Sequence, residues 1–114
     1  MAQLTPSLLK SSGTLLSTAA AAGGGDSFAN TGYEFLYINN GGGSPINVTF
    51  TVQSTKYLQE TVSNRVVSVT NGTAQLIGPF PPGLFNDSNG LVQITYSAVT
   101  SVTVAVFKLV ATLS

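Results

Sequence analysis

The chain has 114 residues, of which 43% are hydrophobic and only 7% charged, and four basic residues balance four acidic ones. A chain of this length forms one domain with a sizeable core, but its charged fraction is far below the roughly 25% of an ordinary soluble domain. The zero net charge argues against binding to nucleic acid or to an anionic membrane, and it favours lasting association between protein subunits.

The residue types also limit the chemistry. The sequence contains no histidine, cysteine or tryptophan, which excludes Ser-His-Asp and Cys-His catalysis, His/Cys zinc sites and disulfides. The four carboxylates lie in different predicted elements, which disfavours a glycosidase pair: Asp26, Glu34, Glu60 and Asp87. We therefore predict a protein that is not an enzyme and that has no catalytic residue, no metal site and no cofactor.

Residues 1–26 are predicted to form a flexible N-terminal arm. Thr5 and Pro6 favour one helical turn over residues 7–10, and the run AAAAGGG at 19–25 is of low complexity. No basic residue precedes the apolar positions that begin at Leu4, so a secretion signal is not expected. The alternatives are a disordered tail and an arm that docks on a neighbouring subunit. We favour docking, because the segment contains five leucines that a solvated tail would lack: Leu4, Leu8, Leu9, Leu15 and Leu16.

Residues 27–114 are predicted to form an antiparallel, jelly-roll-like β-sandwich, with a small barrel as the alternative. Short alternating segments separated by Gly, Pro and Asn are typical of these all-β folds. Residues 33–39 and 46–53 predict one hairpin around the Asn40-Gly41-Gly42-Gly43 turn, and residues 65–70 and 73–77 predict a second around Asn71-Gly72. Residues 54–64 fit either a strand or a helical turn.

Residues 78–90 (GPFPPGLFNDSNG) are predicted to form a loop packed on the domain, because three prolines exclude a central strand. Phe80, Leu84 and Phe85 are the apolar residues of this loop and a second candidate for partner contact. The stretch NDSNG at 86–90 resembles the start of a calcium loop but lacks a following bidentate Glu. An Asx-turn leading into the next strand is therefore the favoured interpretation.

Residues 91–110 (LVQITYSAVTSVTVAVFKLV) are the most β-prone stretch and predict a third hairpin. Val102, Val104 and Val106 share one face of the second strand, while Phe107 and Leu109 lie on the other. A strand that is apolar on both faces is covered on both faces, either by its own domain or by a neighbouring subunit. Phe107 and Leu109 are therefore candidates for partner contact.

Two long stretches carry a family resemblance. They are STAAAAGGGDSFANTGYEFLYINNGGG (residues 17–43) and LIGPFPPGLFNDSNGLVQITYSAVTSVTVAVFKL (residues 76–109), and the strongest marks are GPF at 78–80, FND at 85–87 and VQITYSAVTSVTV at 92–104. The sequence resembles small head-associated structural proteins of tailed bacteriophages, the capsid decoration or cement proteins. This resemblance implies a β-sandwich or jelly-roll subunit, often trimeric, that sits on the capsid exterior and bridges major capsid proteins.

The expected function is that of a virion structural protein made in the host cytoplasm. Its expected partners are the major capsid protein and further copies of itself, with a trimer implied, and neither nucleic acid nor a membrane. One alternative is a subunit associated with the phage tail, neck or fibre. Another is a carbohydrate-binding module that stacks a sugar on Tyr33, Tyr37 or Tyr57.

Overall fold

The structure is a computed structural model, and it describes residues 2–8, 13, 18–53, 56–57, 60–61 and 64–108. These residues form twelve strands and one short helix. In chain order the elements are β1 (Ala2–Leu4), β2 (Ser7–Leu8), β3 (Ala19–Ala20), β4 (Asp26–Ala29), β5 (Glu34–Asn40), β6 (Ile46–Phe50), β7 (Lys56–Tyr57), β8 (Glu60–Thr61), β9 (Arg65–Val69), β10 (Thr73–Ile77), α1 (Pro82–Phe85), β11 (Leu91–Tyr96) and β12 (Val102–Lys108).

Two five-stranded sheets contain most of the described strands and face each other as a β-sandwich. The first sheet has the order β1-β4-β11-β6-β9, and the second has the order β10-β5-β12-β2, with β3 also paired to β12. β7 and β8 form a separate two-stranded antiparallel ribbon in the region that the sequence left ambiguous. The predicted all-β, single-domain sandwich is therefore confirmed.

Alternating apolar residues build the core between the two sheets. In β6 the buried residues Ile46, Val48 and Phe50 alternate with more exposed polar ones, as the sequence predicted. Val102, Val104 and Val106 of β12 belong to the same core, while the buried Phe107 on the opposite face does not. β12 thus separates two apolar layers, one inside the sandwich and one on the outer face of the second sheet.

The three predicted hairpins are wrong, because each predicted pair of strands is split between the two sheets. Each predicted pair has one strand in the first sheet and one in the second; the pairs are β5 with β6, β9 with β10, and β11 with β12. Alternation could not reveal this, since a hairpin and a connection between sheets show the same period of two residues. In a hairpin the two apolar faces point to the same side, whereas here they point at each other across the core.

Backbone conformation and a buried amide hold these connections between the sheets. Ser101 adopts a positive φ of 57° at the β11–β12 corner, and its carbonyl accepts a hydrogen bond from Gly41 N at 2.9 Å. Asn40 is fully buried, and its Nδ2 donates to Ser44 O at 2.9 Å and to Val69 O at 3.1 Å. Its Oδ1 accepts from Gly42 N at 3.1 Å. One side chain therefore links the β5–β6 corner to the end of β9.

The described part of residues 1–26 differs from the predicted separate arm. β1 pairs in parallel with β4, β2 pairs in parallel with β12, and β3 pairs with β12 in the antiparallel sense. The sheets are therefore mixed and not purely antiparallel. Ser7 and Leu8 form a strand, so the predicted helical turn is wrong at these residues, because the extended segment gains hydrogen bonds from a sheet edge. Leu9, Leu15 and Leu16 lie outside the described residues.

Replacing Asn40 tests the importance of the buried amide. Asn40→Ala would leave the buried Val69 carbonyl without its donor and would remove the side-chain bonds to Ser44 and Gly42. We therefore expect a loss of roughly 2–4 kcal/mol in the free energy of unfolding, measured by urea denaturation. Asn39→Ala is the matched control, because this neighbouring side chain is half-buried on the other face of β5. Equal losses in the two variants would contradict the assigned role of Asn40.

Candidate functional site

The predicted contact residues lie in three different settings. Phe80 and Phe85 are 0% and 1% exposed and belong to the core, so in this fold they are not available to a partner. Leu84 and Leu4 are half-buried and pack against that core. Leu8 is 43% exposed, and Leu109 lies outside the described residues. The predicted residues that the structure describes therefore do not converge on one surface.

An apolar groove next to the loop is the best candidate for a binding surface. It has a volume of about 470 Å³, which falls in the usual range of ligand sites. Its walls come from the turn before β5 and from the end of β10, and the lining residues are Gly32, Tyr33, Phe35, Leu76, Ile77, Gly78 and Pro79. Tyr33 is 50% exposed and Leu76 is 63% exposed, so both present apolar surface to the solvent.

A buried carboxylate shapes the first wall. Glu34 is only 2% exposed, and its Oε1 accepts hydrogen bonds from Thr31 N at 2.7 Å and from Tyr33 N at 3.2 Å. The Thr31 hydroxyl donates to both oxygens of the same carboxylate, at 3.0 and 3.1 Å. Hydrogen bonds from two backbone amides and one hydroxyl converge on this single carboxylate, so the turn that carries Tyr33 is held firmly.

Two asparagines tie this turn to the proline-rich loop. Asn30 is 4% exposed, and its Nδ2 donates to Phe80 O and to Asn86 Oδ1, both at 2.8 Å. Asn86 returns a hydrogen bond from its Nδ2 to Asn30 O at 2.8 Å. The two walls of the groove are therefore connected by a reciprocal amide pair.

Aromatic packing anchors the second wall. Phe80 lies between Phe50, at 4.7 Å between ring centroids, and Phe28 and Phe85, at 5.6 and 5.5 Å. The Arg65 guanidinium lies 5.5 Å from the Phe80 ring and 5.1 Å from the Phe85 ring, within the range of a cation–π contact. Pro79 precedes this anchored ring, so its position in the groove is fixed by the core.

The floor of the groove requires close approach of the backbone to an aromatic residue. Gly78 has a φ of 144°, and a Cβ added there would lie 2.8 Å from the Cβ of Phe35. Phe35 in turn packs against Phe107 with 6.1 Å between ring centroids. Phe107 is buried and lies directly opposite Phe35 in the β5–β12 pairing, so it supports the floor from the side.

The groove offers apolar contact and little else. Apart from the Tyr33 phenol, its lining contains no titratable side chain, and no group of acidic residues among the described residues could hold a metal ion. Its chemistry therefore suits an uncharged, apolar ligand segment.

In the part of the chain that the structure describes, no helix is long and apolar enough to span a membrane.

A second buried polar pair lies away from the groove. Asp26 is fully buried, and its Oδ2 accepts hydrogen bonds from the Tyr96 hydroxyl at 2.7 Å and from Ala22 N at 3.2 Å. Burial, with the hydrogen bond to Asp26, raises the pKa of Tyr96 far above its ordinary value. Tyr96 therefore stays protonated and acts as a structural donor between β11 and the start of β4.

The 86–90 loop forms the predicted Asx-turn. Asp87 Oδ1 accepts hydrogen bonds from Asn89 N at 2.8 Å and from Leu91 N at 3.0 Å, and its Oδ2 accepts one from Gln93 Nε2 at 2.8 Å. The bonds from Leu91, Gln93 and Asn89 lower the pKa of Asp87 below its ordinary value of 3.8. Both carboxylate oxygens thus accept hydrogen bonds that fix the backbone at the start of β11.

The sequence indicates Tyr33 as a possible binding residue but not the rest of the groove. Its pattern places Leu76 in a strand and Gly78 and Pro79 in a loop, with no sign that they lie beside Tyr33. The available signal was the GPF sequence, in which a flexible residue and a proline precede a buried ring. Tyr37 is half-buried, and the side chain of Tyr57 lies outside the described residues.

The chain matches no protein-family model, and comparisons with curated proteins and with solved structures find no significant match.

The pH dependence of stability tests the role of Asp87. Because the pKa of Asp87 is lowered in the folded state, its contribution is present above about pH 4 and is lost as the pH falls through the folded pKa. Asp87→Asn should therefore lose less stability than the parent between about pH 6 and about pH 3. Urea denaturation at both pH values measures this difference. Ser88→Ala keeps the carboxylate and should behave like the parent; identical acid sensitivity in all three proteins would contradict the assignment.

Proposed function

We propose that this chain is a non-enzymatic virion structural protein, a capsid decoration protein that binds the outer surface of a bacteriophage capsid and bridges major capsid protein subunits. The resemblance of residues 17–43 and 76–109 supports the assignment to a phage head. The groove beside Tyr33 and Leu76 is the observation that carries the binding role. Self-association and a position on the capsid exterior belong to the same proposal.

The chemistry of the groove suits attachment to a shell protein. A partner segment that enters it gains from the burial of exposed Tyr33 and Leu76, which are 50% and 63% exposed in the isolated chain. Aromatic residues that are partly exposed and rigidly held are frequent anchors of protein interfaces. The turn carrying Tyr33 is held by Glu34 and Asn30, so little conformational entropy is lost on binding.

The low charge of the chain supports a permanent association. Four positive and four negative residues cancel, so the approach to a shell is neither steered nor opposed by long-range charge. Apolar contact then provides most of the affinity, as in permanent complexes. Repetition of one weak contact over a symmetric shell raises the overall affinity further.

The alternatives use the same surface in different ways. A subunit of the tail, neck or fibre could use the same groove, and the symmetry of its attachment under electron microscopy distinguishes it from a head protein. Sugar binding would require polar groups beside the aromatic ring, and the lining of the groove is mostly apolar. A glycan array with the isolated protein, repeated with Tyr33→Ala, tests that alternative.

Capsid binding tests the proposed function directly. Particles that lack this protein are incubated with the purified chain, and its ratio to the major shell protein is measured after sedimentation. The parent should bind in a fixed ratio, and Tyr33→Asp should bind about 30-fold more weakly, because it places a charge at an apolar anchor.

Val66→Asp is the matched control, because Val66 is 57% exposed and lies on β9, outside the groove lining. Its binding should equal that of the parent. A parent chain that does not bind particles would refute the decoration role. Equal binding by the parent and by Tyr33→Asp would refute the role of the groove while leaving decoration intact.

A further inference from the structure

The edge strand β10 lacks the features that normally prevent pairing with another chain. Within the described residues, β10 pairs only with β5. Its five residues, Thr73–Ile77, include no charge and no proline, and its register with β5 runs without a bulge from Thr73↔Asn40 to Ile77↔Leu36. Natural edge strands are usually protected by charged residues, prolines or bulges. A regular and uncharged edge of this kind is a template for a further strand.

The side chains of this edge are also unusually exposed. Leu76 is 63% exposed, and Ala74, two residues earlier on the same face of β10, is exposed as well. Across the sheet they lie beside Tyr37 and Asn39 of β5. The outer face of the second sheet therefore continues as an apolar surface up to its edge and ends there without cover among the described residues.

We propose that β10 of one copy pairs antiparallel with β10 of a second copy across a twofold axis, so that the two second sheets become one continuous sheet. An axis at Gln75, the middle residue of the strand, allows all five residues to pair. In this register Leu76 of each copy lies opposite Ala74 of the other. Both exposed apolar side chains thus become cross-strand neighbours.

The residues of this edge are complementary to themselves, which identifies the occupant as a second copy. With the axis at Gln75, Gln75 meets its own counterpart, Thr73 meets Ile77, and the exposed Ala74 meets the exposed Leu76. Residues 73–79 contain no charged side chain, and the edge is therefore self-complementary.

The proposed pair and the groove share Leu76, whereas Tyr33 lines the groove from the turn before β5 and takes no part in the β10 pairing. Each copy in a dimer therefore keeps the Tyr33 side of its groove for a shell subunit, and two such contacts in one dimer raise its overall affinity. The twofold pairing predicts a dimer where the family resemblance implies a trimer. This inference rests on the sheet edge and not on the proposed function.

Opposite charges introduced on the two sides of the axis provide the test. The masses of the purified full chain and its variants are measured by light scattering over a range of concentrations, and far-UV circular dichroism checks that each variant is folded. The parent should form a dimer. Ala74→Lys and Leu76→Glu should each weaken it by about tenfold or more, because each places a charge against an apolar side chain.

The double variant Ala74→Lys/Leu76→Glu should regain the dimer, since each new lysine then lies opposite the new glutamate of the other copy. Val66→Glu changes a similarly exposed position on β9, an edge strand of the first sheet, and should leave the dimer unchanged. A monomeric parent at every concentration, a parent trimer, or a dimer insensitive to both single changes would overturn the proposal. Failure of the double variant to regain the dimer would overturn the register.

Discussion

Phe80 lies with its ring fully buried between the two sheets, and the candidate surface depends on this burial. The contacts with Phe28, Phe50 and Phe85 hold the ring, while the Phe80 carbonyl accepts the amide of Asn30. The residues before Phe80 in the chain are therefore fixed against Phe35. A loop with three prolines and several exposed residues would be mobile without such an anchor, whereas this one forms a rigid wall. The apolar groove is in this sense a consequence of core packing.

Residue patterns predict the strands of the sandwich and their buried faces better than they predict which strands pair. The alternation in β6 and the two apolar faces of β12 follow directly from the pleat of a strand, and both are seen in the structure. Asp87 likewise forms the turn that its sequence favours. The partner of each strand could not be predicted, because pairing depends on whether a corner keeps the chain in one sheet or carries it to the other. That choice depends on contacts distant in sequence, such as the amide of Asn40 with Val69 O.

The same limit explains why the candidate site was only partly predicted. Phe80 and Phe85 were recognised as apolar residues in a loop, but their burial could not be derived from a local pattern. Tyr33 was recognised as an aromatic residue open to a ligand, yet its partner wall at Leu76 is 43 positions away in the chain. A groove assembled from distant segments becomes visible only when the fold brings them together. The uncharged composition, in contrast, was readable at once and already favoured association through apolar surfaces.

The connections between the sheets also determine how the chain must reach its fold. A hairpin forms early because its strands are neighbours in sequence, and its hydrogen bonds need no other part of the protein. Here β5 and β6, β9 and β10, and β11 and β12 find their partners in remote segments, so each ladder must close a long loop before it is stabilised. Topologies dominated by such distant pairings fold slowly, and the partly folded chain exposes unpaired strands. Because of the crossing corners, neither sheet can be completed from strands that are neighbours in the chain.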